Sequence, residues 1–281
     1  MSRVRAPSIA HSYLLSINTT MTTWQAFLLG IVQGITEFLP VSSSGHLALA
    51  QYFLGFDRLQ DHILFDLVCH LGTLLAILCF FFTVLKKALS IHSNRFWQVF
   101  IGTLPLLPLV LIIKPIKSLF DQPQFLGPCF LISALLIFAG SYLKLSWRFH
   151  SPLKWLDALT IGCFQAVAIL PGISRSGATI SAARFLGWQK EDAIQYSFLL
   201  AIPAIIGGTL LEGWSTWHSP DLLSSTQNFQ PFIIGFITSF AVGILSLWLL
   251  IRLVIKDKWS YFAWYCLALG LAATFYFNLY V

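Results

Sequence analysis

Charge is scarce in this sequence. Asp, Glu, Lys and Arg make up 10% of its 281 residues, where a soluble domain carries about a quarter. That scarcity excludes both an ordinary water-soluble globule and a charge-rich disordered chain. The five cysteines (Cys69, Cys79, Cys129, Cys163, Cys266) are scattered through apolar stretches. None has the spacing of a metal knuckle or a redox pair, so they read as small core residues. There is no long basic tract either, although the net charge is +6. Lys86-Lys87, Lys144 with Arg148 and Lys154, and Arg252 with Lys256 and Lys258 fall in short clusters between apolar runs. They read as topology determinants and leave no patch for nucleic acid. The only apolar run in the first 20 residues, at 13–17, is too short for a secretion signal. We read 1–22 as a loosely ordered tail and 23–281 as a single membrane domain.

What the sequence has instead is apolar length. Hydrophobic residues make up 57% of the chain, and the mean hydropathy is +0.77. Runs at 65–85, 96–113, 125–143 and 232–251 each approach the roughly 20 residues that carry a helix across a ~30 Å hydrocarbon core. The chain reads as an all-α integral membrane protein.

An internal repeat organises it. Gly30-Ile-Val-Gln33, then Pro40-Val-Ser42-Ser-Ser44-Gly45, pairs with Gly162-Cys-Phe-Gln165, then Pro171-Gly-Ile-Ser174-Arg-Ser176-Gly177. At an offset of 132 a glycine, a glutamine, two serines and the final glycine coincide. In each copy an apolar stretch meets a Pro/Ser/Gly break and a shorter helix-like run follows. Neither piece spans a bilayer alone. A break at membrane depth must be buried in protein or line a cavity, because lipid cannot satisfy freed backbone groups. The expectation is two re-entrant helix-loop-helix hairpins, at about 24–54 and 157–186. Three spans follow each: about 63–85, 96–113 and 125–143, then about 194–212, 231–253 and 260–280. The architecture is therefore six transmembrane helices plus two hairpins in an inverted-topology repeat (about 24–143 and 157–281), with the tips meeting near the midplane. The lysine- and arginine-rich loops after 85, 143, 186 and 253 share one face, which positive-inside places in the cytoplasm, with both termini outside.

Glu37, His46 and Arg175 are the ionisable residues at or beside the breaks. Such a group at membrane depth is a functional-site hypothesis, since burying it unpaired costs several kcal/mol. If the tips meet, Glu37, Ser42, Ser43, Ser44 and His46 face Ser174, Arg175, Ser176 and Thr179. Gly45 and Gly177 let the backbone curl so that N–H groups converge, and each break opens onto a helix N-terminus that favours an anion. The guanidinium suits phosphate. Glu37, with the Gln33 amide one turn earlier on the same helix face, offers oxygen ligands to a divalent cation. His62, Asp66 and His70 lie near the start of a span and are left outside the site.

Gln33-Gly-Ile-Thr-Glu37-Phe-Leu-Pro-Val-Ser-Ser-Ser-Gly-His46 resembles the first signature of the bacterial undecaprenyl-diphosphate phosphatases of the bacitracin-resistance type. Pro171-Gly-Ile-Ser-Arg-Ser-Gly-Ala-Thr179 resembles their second. The likeness runs from about residue 22 to the end. It implies hydrolysis of undecaprenyl diphosphate to undecaprenyl phosphate in the bacterial cytoplasmic membrane, recycling the carrier lipid of the cell wall and giving bacitracin resistance. It also implies a requirement for Mg²⁺ or Ca²⁺. Gln33 and Glu37 match the glutamate-rich motif, Ser43 and His46 its catalytic pair, and Arg175, Ser174, Ser176 and Thr179 the phosphate-binding motif. Glutamine at 33, where many members have glutamate, leaves one fewer carboxylate for the metal.

Three routes to the phosphorus stay open: Ser43 attacks with His46 as base, His46 attacks, or His46 or Glu37 activates water. The serine route is favoured, because i, i+3 spacing lets the two side chains meet if a helix starts near Ser43. A transporter or flippase for a lipid-linked or anionic substrate is the alternative from another class, since broken helices in inverted repeats also build secondary carriers. Acid-phosphatase-like lipid phosphatases are rejected: they need a histidine shortly after the arginine, and none follows Arg175 before His218. The polyprenyl diphosphate and the bilayer are the expected partners, and a homodimer is left open.

Overall fold

The computed structural model describes residues 21–56, 62–88, 93–112, 122–143, 155–217 and 229–280. Every regular element among them is helical. Five helices are long and apolar enough to cross a membrane: Ile63–Phe80, Pro123–Tyr142, Lys190–Ser215, Gln230–Ile255 and Ser260–Leu279. The protein is an all-α, multi-pass membrane protein. The expected tail, 1–22, lies almost wholly outside the described residues.

Each break divides a short helix pair. Helix α1 (Thr23–Thr36) opens with a capping box, in which Thr22 accepts from the Gln25 backbone and Gln25 returns the bond. It ends before Pro40, and α2 (Ser43–Phe53) follows. Ala26 and Leu29 of α1 share one apolar cluster with Leu47 of α2, with Met21, Val32, Ala50 and Leu54 packed on it. So α2 folds back along α1. The second pair is α7 (Trp155–Val167) and α8 (Arg175–Phe185). Its open end is tied by the Trp188 indole donating to Asp157 Oδ2 at 3.3 Å.

The remaining helices are α3 (Ile63–Phe80), α4 (Phe82–Ala88), α5 (Asn94–Thr103), α6 (Leu126–Tyr142), α9 (Lys190–Trp217), α10 (Gln230–Ile255) and α11 (Ser260–Tyr280). The expected span at 96–113 is α-helical only through Thr103; Leu104–Ile112 continues as a 3-10 helix. Pro105 and Pro108 cannot donate the backbone bonds an α-helix needs there. Residue 113 lies outside the described residues.

Packing recurs in pairs at close to the repeat offset. A Cβ on Gly30 of α1 would come within 2.9 Å of Thr238 Cβ and 3.0 Å of the Gly235 carbonyl on α10. Gly162 of α7 lies equally hard against Gly102 of α5. Ser239 of α10 donates to the Cys69 carbonyl of α3 at 3.0 Å. Tyr196 of α9 donates to the Gln98 carbonyl of α5 at 2.8 Å. Between the two halves α6 packs on α11, with Gly127 against Thr274. Small residues at such crossings let backbones approach, the main source of helix adhesion where lipid competes with every apolar contact.

Candidate active site

The two tips are built alike. Ser42, with φ 72, accepts from Gly45 N at 3.4 Å and lies 3.4 Å from Ser44 Oγ. Ser174 accepts from Gly177 N at 3.1 Å and lies 3.3 Å from Ser176 Oγ. Each serine caps the helix that follows it. The N–H groups of Gly45 and Gly177, expected to converge on an anion, are thus taken by the caps. Each tip is also braced from behind. On α6, Ser133 donates to the Gly172 carbonyl at 2.9 Å and accepts from Ser174 N at 2.8 Å. On α11, Cys266 Sγ lies 3.6 Å from the Pro40 carbonyl.

The tips touch. A Cβ on Gly45 would come within 2.9 Å of Gly172 Cα, so only glycine fits this approach. Ser176 donates to the Leu39 carbonyl across the junction at 3.3 Å. At the centre lies Glu37, whose side chain is 1% exposed. Its Oε1 pairs with the Arg175 guanidinium. Its Oε2 accepts from Gln33 Nε2 at 3.0 Å and from Ser43 Oγ at 2.6 Å. Arg175 donates a second bond, to the Ala201 carbonyl of α9, at 3.4 Å. Thr179 donates to the Arg175 carbonyl at 2.9 Å and lies 2.6 Å from Ser197 Oγ. Glu37, Arg175, Ser176 and Ser197 line a small cleft whose apolar wall includes Phe38, Ile77 and Phe198. A buried carboxylate needs such partners to stay charged.

Gln33, Glu37, Ser43, Arg175 and Ser176 therefore come together as expected. His46 does not meet Ser43. The serine hydroxyl turns to Glu37, although α2 does begin at Ser43. The imidazole turns back to the Ser42 carbonyl, with Nδ1 2.7 Å from it, and its Nε2 lies 2.7 Å from the Tyr265 hydroxyl. The structure also adds residues that the sequence reading left aside. His70 Nε2 lies 3.6 Å from Glu37 Oε2. Behind it, Asp66 accepts from Gln51 Nε2 at 2.9 Å. The signal available in the sequence was Asp66 and His70 at i, i+4 within one apolar span. Ser197 and Tyr265 lie outside both motifs, and nothing local marks them. Among the described residues, no group of three or more His, Cys, Asp or Glu side chains could hold a metal ion.

A family model described as bacitracin resistance protein BacA matches residues 26–272, which include both tips. The chain belongs to the BacA family. Members similar to it include an undecaprenyl-diphosphatase of Protochlamydia amoebophila (strain UWE25), 59% identical over 92% of this chain and 100% of that protein. An undecaprenyl-diphosphatase of Methanococcus vannielii is 37% identical over 89% of this chain and 98% of its own. One from Alkaliphilus metalliredigens is 35% identical over 89% of this chain and 97% of its own. Since the BacA match runs through both halves, the facing tips lie in the part of the chain that the family shares.

Proposed function

We propose that this protein hydrolyses undecaprenyl diphosphate to undecaprenyl phosphate and phosphate, recycling the carrier lipid for cell-wall synthesis and so giving bacitracin resistance. The observation that carries the mechanism is the Ser43 hydroxyl donating to Glu37 while the other oxygen of Glu37 holds Arg175. A hydroxyl already bonded to a carboxylate is an activated nucleophile. A guanidinium beside it clamps phosphate oxygens.

Ser43 Oγ attacks the terminal phosphorus and its proton passes to Glu37. The bridging P–O bond breaks and undecaprenyl phosphate leaves, with Arg175 neutralising the oxygens of the transferred group. Water then attacks the phosphoserine and gives a proton to His46, while Ser43 departs with the proton held by Glu37. Ser174, Ser176 and Thr179 shape the cradle around Arg175, and the caps at Ser42 and Ser174 hold Gly45 and Gly177 in place. Glu37 replaces His46 as the base for Ser43 because of the 2.6 Å contact.

A Mg²⁺ or Ca²⁺ ion fits this donor set. Gln33 Oε1 is a buried oxygen without a hydrogen-bond partner among the described residues, one turn from Glu37. These two residues would hold the ion, with diphosphate oxygens completing its shell. It would supply neutralisation of the diphosphate charge.

We read α1–α2 and α7–α8 as re-entrant hairpins in a six-span inverted repeat, in the bacterial cytoplasmic membrane with both termini periplasmic. Their lengths of 14, 11, 13 and 11 residues support this, as do the paired contacts and the one-sided loop charge. The test is phosphate release from undecaprenyl diphosphate by the purified protein. Wild type should turn over, Ser43→Ala should lose several orders of magnitude, and acid quenching should trap ³²P on Ser43. A wild-type protein that moves the lipid but releases no phosphate would be a carrier. Label on His46, or on neither residue, would replace the serine route.

A further inference from the structure

His46 projects from the same helical turn as Ser43, yet its ring is held by α11. Nδ1 sits 2.7 Å from the Ser42 carbonyl, which can only accept, so Nδ1 carries the proton. In the neutral imidazole Nε2 is then an acceptor, and the group 2.7 Å from it is the Tyr265 hydroxyl. The tyrosine ring also stacks on the imidazole, with centroids 5.7 Å apart and planes 12° apart. Phe130 of α6 packs T-shaped against the imidazole, with centroids 5.2 Å apart and planes at 80°. The Ser42 carbonyl therefore sets the tautomer, while the orientation of the ring is also held from outside the signature motifs, by one residue 219 positions away. In catalytic histidines the hydrogen bond made by one nitrogen decides which form the other presents.

We propose that Tyr265 is a positioning residue for His46. The Ser42 carbonyl holds the imidazole as the Nδ1–H tautomer, and the Tyr265 hydroxyl fixes the direction of the Nε2 lone pair before substrate arrives. This rests on the reading of His46 as a proton acceptor in the second half of the reaction. Tyr265 itself is 47% exposed on the outer surface of α11. The side from which His46 is held is thus not packed in the protein core, and the hydroxyl can move aside without disturbing the helices. The hydroxyl, not the ring, carries the effect.

Tyr265→Phe isolates that hydroxyl, since it keeps the stack. Loss of the orienting partner of a functional histidine costs roughly 10- to 100-fold, and kcat should fall by that factor with kcat/KM unchanged, so that KM falls in parallel. Phosphoserine should accumulate, because only the second step slows. With ¹⁵N-labelled histidine in the full-length protein in detergent, the His46 Nε2 signal should shift in the variant as its hydrogen bond from Tyr265 is lost, while Nδ1 stays protonated against the Ser42 carbonyl. Wild-type kcat in Tyr265→Phe overturns the proposal, as does a slowed variant in which the His46 Nε2 signal is unchanged. The signal also reports whether the variant is folded. His46→Ala separates the two levels: full activity there removes the reading of His46 as a base, while the Nε2 signal in Tyr265→Phe still decides whether Tyr265 holds the ring.

Discussion

Replacing Arg175 by alanine and by lysine separates its two roles. Glu37 is held at 1% side-chain exposure and Arg175 at 23%. Removing one partner of a buried pair costs about 3–5 kcal/mol, because the remaining charge is left uncompensated. Arg175 is partly exposed, so the lower end applies and Arg175→Ala should lose about 3 kcal/mol. Lysine restores the charge and should recover much of that stability. It cannot reproduce the planar fork that binds phosphate oxygens. An arginine on a transferring phosphoryl group is worth roughly 10³- to 10⁵-fold in kcat, so the alanine variant should be silent. The lysine variant should stay at least about 100-fold below wild type, a minor part of that range. Thermal unfolding in detergent reads the first quantity and phosphate release the second. If lysine restored activity and stability in parallel, Arg175 would be only the ionic strut between the tips. If alanine changed neither, the pair would have no role.

Three other perturbations test the frame and the metal. Ser133→Ala leaves the Gly172 carbonyl and Ser174 N–H without their shared partner; at about 1–3 kcal/mol for each buried unsatisfied group, its unfolding midpoint should drop, and an unchanged midpoint would mean the brace is idle. Gly34→Ala places a Cβ within 2.8 Å of Val242 Cβ and 2.9 Å of the Ser239 carbonyl. Overpacking of that kind costs about 1–3 kcal/mol; a variant as stable as wild type would show that α1 and α10 can separate freely. Excess chelator should abolish phosphate release and added Mg²⁺ or Ca²⁺ restore it, with Gln33→Glu lowering the cation concentration needed. Full turnover in chelator would remove the ion from the mechanism.

The sequence made the tips legible and left their wiring hidden. Apolar runs near 20 residues and a Pro/Ser/Gly interruption are local signals, and they placed the five long helices and both breaks. The 3-10 stretch at Leu104–Ile112 was written in Pro105 and Pro108, yet apolar length alone made it read as an ordinary span. Helix α9 runs to Trp217, beyond the expected 212, because the apolar signal fades before its polar last turn ends. The partner of Ser43 was not legible at all. Helical spacing brings His46 near it, but residues 37–42 fold so that Ser42 takes a left-handed backbone and the hydroxyl of Ser43 meets Glu37. A side-chain choice of that kind depends on the path of the break, which no periodicity encodes. His70, Ser197 and Tyr265 reach the site only through tertiary packing.

Comparing the two tips position by position shows why a duplicated frame yields one centre. Ser43 and Arg175 occupy equivalent places, each the first residue of its helix after a capping serine. Both bond to Glu37, one on each oxygen. The second tip has no such carboxylate, for Ile169 stands at the position of Glu37. Gln165, the counterpart of Gln33, is accordingly buried with neither amide atom partnered among the described residues. His46 likewise faces Ala178 in the alignment of the halves. The shared part is therefore structural: caps, braces and glycine crossings that bring two backbone turns into contact. The polar groups are divided, with Glu37, Ser43 and His46 on one tip and the guanidinium on the other, so under the proposed mechanism neither half is a phosphatase alone. Glu37 joins them, since one carboxylate holds both the Ser43 hydroxyl and the Arg175 guanidinium.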